Sequence, residues 1–306
     1  MAKPTVLLDH DGGVDDYLSV LLLMTMEHLH VLGVVVTPAD CYIQPAIGAT
    51  RKILDLVGRS EVPVAESTLR GLNPFPTLYR RDSYVIDHLP ILNEGDVQAR
   101  LVPESGQDFM VRVLREATEP VTLLITGPLT NLAFALDTAP EIESHIKELI
   151  WMGGALEVPG NVEKALESGQ DGSAEWNAYW DPIAVDRVWK SSIPIVLCSL
   201  DITNTVPVTS EFVQRMGKQR RFPLSDFAGQ CYALVIPQDY YFWDVLATAY
   251  LAHPEFYQLR EVETAIVTTG RSQGRTKISP GGRTIQAMTQ VDGDRFYAYI
   301  LEQWAR

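Results

Sequence analysis

The sequence predicts an α/β fold of Rossmann-like type: a mostly parallel central sheet, helices on both faces, and a C-terminal β extension. Short β-branched runs alternate with helix-length segments through most of the chain. The runs are apolar at successive positions, the pattern of strands buried on both faces of a parallel sheet. Residues 263–300 differ: Thr, Val and Ile runs surround GRSQGR and SPGGR, which read as hairpins or an edge extension.

The elements follow in order. PTVLL (4–8) is the first strand, and a helix over 15–28 carries Asp15 and Asp16 in its first turn. VLGVVV (31–36) is the second strand, followed by a helix over 44–58 that ends at Gly58. VPVA (62–65), VTLLIT (121–126), ELIWM (148–152) and IPIVLC (193–198) continue the strands. Helices are expected at 105–117, 128–137, 181–191, 208–217 and 242–252, with TSEF (209–212) as a helix cap. The stretch 67–107 has no clear period and reads as a long irregular excursion, of the kind that forms lids or binding loops. No linker tract and no internal repeat divides the chain, so residues 1–306 are expected to form one domain.

Of the 306 residues, 46% are hydrophobic and 21% charged, the balance of a soluble globular chain with a sizeable core. The net charge of −14 argues against binding to nucleic acid or to anionic membranes. Cys41, Cys198 and Cys231 lack CxxC spacing, which suits a reducing compartment without a disulfide framework or zinc site. The opening MAKPTVLLDHD does not read as a signal peptide. No run approaches the roughly 18 apolar residues of a membrane span. A cytoplasmic protein is expected.

The densest chemistry lies in LLDHDGGVDD (7–16), where Asp9, Asp11, Asp15 and Asp16 crowd around two glycines. Carboxylates about 4 Å apart repel by roughly 4 kcal/mol at an effective dielectric near 20. Solvent on an exposed turn, protonation or a bound cation must offset that. The position between a buried strand and a helix start disfavours a solvated turn. EF-hand spacing fails, because Gly13 sits where an oxygen ligand belongs and Val14 where the turn glycine belongs. Neither GxGxxG nor a P-loop is formed. Ligands of parallel α/β sheets bind beyond the carboxyl ends of the strands. TPAD (37–40), TGPLTN (126–131), MGG (152–154) and SLDIT (199–203) fall at such ends beside the acidic loop. Two resemblances remain: DHDGGVDD overlaps the DxDG pattern of haloacid-dehalogenase-like phosphatases, whose first Asp is a nucleophile, and it is similar to the acidic signature of nucleoside hydrolases, which hold a calcium ion.

Four later blocks separate them. LLITGPLTNLAFAL (123–136), WMGGALEVPGN (151–161), SAEWNAYWDPIAVDRVW (173–189) and FWDVLATAYLAHPE (242–255) resemble nucleoside hydrolases in the family's order. The C-terminal VDGDRFYAYI (291–300) fits as well, so the resemblance spans nearly the whole chain. Within the family, DHDG (9–12), ADCY (39–42), YRRDSYVIDHLPILN (79–93) and Trp243-Asp244 resemble the purine-preferring inosine-adenosine-guanosine branch. The nonspecific branch usually has DTDPG and His-Asp at the first and last of these. Gly13 and Tyr79 depart from the purine pattern, standing where that branch often has Asn and Trp.

This resemblance implies hydrolysis of the N-glycosidic bond of ribonucleosides to ribose and free base. It implies a calcium ion held by Asp11, Asp16, the backbone carbonyl of Thr126 and Asp244, with Asp11 as general base toward water. Ribose contacts map to Asp15, Asn161, Glu175 and Asn177, with Met152 packing near the sugar. The base is expected to stack on Trp243, with Tyr79 as a second face and Asp40 near its edge. Trp243 occupies the place of the nonspecific branch's histidine acid. Relatives of the purine branch are commonly dimers, so a homodimer is expected. Asp9 is read as orienting the loop, and His10 as a hydrogen-bonding residue without a catalytic role. The phosphatase, and a pocket that binds nucleosides or sugars without turnover, are the alternatives.

Overall fold

In the computed structural model, which describes residues 3–306, ten strands form one sheet. They are β1 (Thr5–His10), β2 (His30–Val36), β3 (Val64–Glu66), β4 (Leu101–Ser105), β5 (Val121–Ile125), β6 (Ile146–Met152), β7 (Ile195–Cys198), β8 (Tyr257–Ile266), β9 (Thr276–Ile278) and β10 (Arg283–Val291). The order is β4-β3-β2-β1-β5-β6-β7-β10-β8-β9. Every pairing from β4 across to β10 is parallel, and β8 pairs antiparallel with both β10 and β9.

Alternation along the strands explains the continuous apolar runs. Val6 and Leu8 of β1 face one layer, with Leu124, Ile150 and Met152, against the helices Val14–Thr25, Ile43–Val57, Pro223–Val235, Asp244–Ala249 and Gly293–Trp304. Leu7 faces the other, with Leu123, Ile125, Leu149 and Trp151, against the helices Gly106–Glu116, Thr130–Thr138 and Pro182–Trp189. Both faces are therefore core, and truncating such a leucine to alanine costs about 2–5 kcal/mol.

Several expectations shift. β1 continues to His10, so Asp9 and His10 are strand residues, and the following helix stops at Thr25 because the chain turns through Met26–Leu29 into β2. The helix expected over 181–191 forms as Pro182–Trp189, capped by Asp181 through Ala184 N–H (3.1 Å), and a separate short helix, Trp176–Trp180, precedes it. Thr209 caps the helix Ser210–Lys218 through Phe212 N–H (3.1 Å), as TSEF suggests. The excursion 67–107 holds short helices at Thr77–Arg80 and Asp82–Asp87, a 3₁₀ turn at Pro90–Leu92, and strand β4. The C-terminal extension is a hairpin assembly only to Val291. β10 enters the main sheet beside β7, and residues 293–304 form a helix capped by Asp292, which accepts from Arg295 N–H (3.1 Å). Among the described residues, no helix is long and apolar enough to cross a membrane.

Candidate active site

β1 delivers the acidic loop to the carboxyl edge of the sheet, between β2 and β5. Gly12 turns it at φ +83°, and a Cβ there would lie 2.6 Å from the Cβ of Cys41. Gly127, just past β5, closes onto Asp11: a Cβ at 127 would lie 2.8 Å from the Asp11 Cβ. Asp16 Oδ2 accepts from Gly13 N–H (2.8 Å), and the Thr126 hydroxyl donates to Asp16 Oδ1 (2.5 Å). Asp40 N–H donates to Asp11 Oδ2 (3.2 Å). The loops after β1, β2 and β5 are thus tied by carboxylate contacts, while Asp244 arrives as the first residue of its helix.

Asp11, Asp16 and Asp244 are 3%, 2% and 7% exposed. Burial raises the Asp11 carboxyl well above the usual range, and the charges of Asp16 and Asp40, contact with Asp16, and Asp244 push it further. Burial does the same to Asp244, reinforced by Asp16 and Asp15. No lysine, arginine or histidine lies among the cavity-lining residues to compensate. Among the described residues no three His, Cys, Asp or Glu side chains are drawn into a closed ligand cluster. The donor chemistry is nonetheless that of a hard divalent cation: buried carboxylate and carbonyl oxygens with uncancelled negative charge. Asp11, Asp16, Asp244 and the Thr126 carbonyl fit such an ion.

A cavity of about 410 Å³ opens over this set. Every residue expected at the site lines it except Asp15. The Asp15 carboxylate accepts instead from the Tyr232 hydroxyl (2.7 Å) and from the N–H groups of Asp244 (2.7 Å) and Val245 (3.0 Å). Successive helix positions point about 100° apart, so Asp15 turns toward the late helix when Asp16 faces the cavity.

The sugar-facing candidates are fixed by backbone groups. Glu175 accepts from the N–H groups of Gly154 (2.8 Å), Asn177 (2.9 Å) and Ala178 (3.1 Å), which also caps the helix Trp176–Trp180. Burial still raises its carboxyl, against the lowering by those bonds. Asn177 Nδ2 donates to the carbonyls of Thr126 (2.8 Å) and Met152 (3.1 Å), leaving Oδ1 as the available acceptor. The Thr126 carbonyl retains a second lone pair for another partner. Asn161 Oδ1 accepts from Trp176 N–H (3.0 Å).

Asp9 is fully engaged away from the cavity. Its oxygens accept from the Thr37 hydroxyl (2.7 Å) and Asn131 Nδ2 (2.9 Å), joining the ends of β1 and β2 to the helix after β5. Asp9 does not line the cavity and both its oxygens are bonded within the fold, which places it out of reach of a substrate there and counts against the phosphatase reading of DxDG. His10 is buried against the Thr50 hydroxyl (3.0 Å) and does not line the cavity.

Aromatic rings make up much of the remaining wall. Trp243 packs against Tyr240 (centroids 4.5 Å) and Tyr241 (5.8 Å). Tyr79 is joined by Phe75 and Trp176. Sequence reasoning missed Phe75, Glu163, Trp176, Asn204, Gln238, Asp239, Tyr240 and Tyr241 as lining residues. The run DYYFWD (239–244) carried a signal for the tyrosines; Glu163 carried none.

Comparison with known proteins agrees with this geometry. A family model described as inosine-uridine preferring nucleoside hydrolase matches residues 6–298. The crystal structure of an inosine-uridine preferring nucleoside hydrolase from Bacillus anthracis has TM-score 0.95 and 43% identity, covering 99% of each chain. The pyrimidine-specific ribonucleoside hydrolase RihA of Photobacterium profundum is 34% identical over 226 residues, 71% of this chain and 67% of that one. RihA of Shewanella woodyi is 29% identical over the full length of both. A purine-preferring ribonucleoside hydrolase from Gardnerella vaginalis shares the fold at TM-score 0.80 and 23% identity, covering 98% of each chain. The family match runs from within β1 to beyond β10, and the chain belongs to the inosine-uridine preferring nucleoside hydrolase family.

Proposed function

We propose that this nucleoside hydrolase works with calcium and prefers purine ribonucleosides. One observation carries the reading: a single cavity combines an uncompensated aspartate set with six aromatic side chains and no histidine. Calcium bound by Asp11, Asp16, Asp244 and the Thr126 carbonyl would supply a Lewis acid that acidifies a water and engages ribose hydroxyls.

The chain's own residues do the rest. Asp11 takes the proton of the attacking water as general base. Glu175 and Asn177, held by backbone bonds before substrate arrives, receive sugar hydroxyls without reorganising, with Asn161 and Met152 beside them. The water oxygen bonds to the anomeric carbon as the glycosidic electron pair leaves with the base. Positive charge growing on the sugar meets the surrounding carboxylates, which are fixed and partly desolvated. The departing purine takes a proton from solvent at a ring nitrogen. Trp243 favours the protonated ring by stacking, worth roughly 0.5–2 kcal/mol, with Tyr79 as a further face and Asp40 at the base edge.

The names of the RihA relatives favour a second reading, pyrimidine ribonucleosides in the same cavity. A panel of inosine, adenosine, guanosine, uridine and cytidine, with and without chelator, separates them by free base and reducing sugar. Purines should exceed pyrimidines in kcat/KM, and chelator should abolish turnover. Faster uridine cleavage overturns the purine preference, and chelator-resistant turnover overturns calcium. Binding without product would leave only a nucleoside-binding pocket. In the same panel, 2′-deoxyinosine should be rejected, by up to about 10⁴–10⁵-fold, because a missing hydroxyl leaves buried polar groups unpaired. Equal efficiency on both sugars would remove the assigned hydroxyl contacts.

A further inference from the structure

Part of the cavity wall belongs to neither sheet-facing apolar layer. Val162, Ala174, Trp176 and Tyr179 form a separate buried cluster, with Phe75 and Tyr79 packed against it. Ring centroids of Phe75 and Trp176 lie 4.9 Å apart, and those of Tyr79 and Trp176 6.3 Å apart. Two segments distant in sequence supply these rings, one around Tyr79 and one spanning 157–176.

One carboxylate joins them at the cavity mouth. The Tyr79 hydroxyl donates to Glu163 Oε1 (2.5 Å), and the Trp176 indole N–H donates to Glu163 Oε2 (3.2 Å). Both oxygens of one side chain are spent on ring donors, a bridge open to a carboxylate because it accepts at two atoms and donates at none. Burial and the Glu163 contact push the Tyr79 hydroxyl pKa upward, so it stays a donor across the neutral range. The root of the Glu163 loop is held independently. Gly160 N–H donates to the Gly172 carbonyl (3.0 Å), Val162 N–H to the Ala174 carbonyl (3.1 Å), and Gln170 Nε2 to the Gln273 carbonyl (2.9 Å). Glu163 therefore stands on a loop fixed at its root, and its side chain ties the loop's tip to a ring on another segment.

We propose that Glu163 is a positioning residue of the base subsite, locking Tyr79 and Trp176 into one aromatic wall before substrate arrives. A wall ordered in the free protein need not be ordered by the substrate, so its loss appears in KM more than in kcat. The proposal rests on the reading of Tyr79 as a base-facing ring.

The test uses the full chain with Glu163→Ala, Glu163→Gln, Tyr79→Phe, the Glu163→Ala/Tyr79→Phe double variant, and Tyr79→Ala. Glu163→Ala and Tyr79→Phe should each raise KM for inosine about tenfold with kcat within about twofold. The double variant should be no worse than the more affected single, since both remove the same contact. Glu163→Gln, which keeps one acceptor oxygen, should fall between wild type and Glu163→Ala. A readout independent of turnover is trypsin cleavage after Lys164, which Tyr79→Phe should accelerate although the cut sequence is unchanged. Multiplicative losses in the double variant, or an unchanged KM in Glu163→Ala while Tyr79→Ala raises it, overturn the latch and leave the base subsite standing. An unchanged KM in Tyr79→Ala defeats the base-facing reading itself; unaltered Lys164 cleavage in Tyr79→Phe then overturns the tie between the segments as well.

Discussion

Asp11 is a side chain costly to the fold that the proposed mechanism makes the general base. It is buried beside Asp16, Asp40 and Asp244, whose charges all oppose its ionisation. Asp11→Ala should lower inosine turnover by at least about 10²–10⁴-fold, the range for a lost general base. In chelator the same variant should melt no lower than wild type, because a buried like-charge contact has gone. Turnover within tenfold of wild type would show that Asp11 is not the base. Trp243 makes the opposite kind of contribution: it carries no charge, and its indole N–H has no partner among the described residues. Trp243→Ala should cut inosine turnover by orders of magnitude yet largely spare p-nitrophenyl riboside, whose leaving group needs no proton. Equal losses on the two substrates would mean that the ring shapes the cavity without activating the base.

At the scale of elements, Asp15 is the seam between the first helix and the helix Asp244–Ala249. Its carboxylate takes the first N–H groups of the late helix, and its own N–H donates to the Tyr240 hydroxyl (3.2 Å). Asp15→Ala leaves buried donors unpaired at about 1–3 kcal/mol each. It should lower Tm and shift Asp244, raising the calcium concentration needed for half-maximal activity. A changed 2′-hydroxyl preference with an unaltered calcium requirement would instead assign Asp15 to the sugar. Helix phase is what the motif could not show: DD at 15–16 reads as one acidic pair, yet its members face different partners. The central strands were legible because burial on both faces writes unbroken apolar runs. Strand β4 was not, since Pro103 and its exposed positions break any run. The helix Gly293–Trp304 was masked by the turn-rich segment before it, although Phe296, Ile300 and Trp304 keep helical spacing. Asp11, Asp16, Thr126 and Asp244 were legible as motif residues that share a cavity. The aromatic wall around Glu163 was not, because its partners meet only through the tertiary fold.

Over the whole molecule, the proposed ion would tie together parts of the chain that sequence separates most widely. Asp11 and Asp16 follow β1, Thr126 follows β5, and Asp244 opens a helix packed on the first one. Unfolding scatters these four donors, so calcium should bind the folded chain far better than the unfolded one. Calcium at about 100 times its Kd then stabilises by about 2.7 kcal/mol. At about 2 °C per kcal/mol, suited to a large domain, Tm should rise by roughly 5 °C over the chelated protein. Each further tenfold in calcium adds about 1.4 kcal/mol, or roughly 3 °C. The sign is reinforced by the net charge of −14, since a bound dication relieves both local and global repulsion. Magnesium should stabilise less, because it demands near-octahedral geometry and gives up its waters reluctantly. Differential scanning fluorimetry across a calcium series, starting from exhaustively chelated protein, reads all of this without any turnover. A Tm independent of calcium over several decades, with no metal retained after dialysis, would mean that protonation rather than a cation relieves the buried carboxylates.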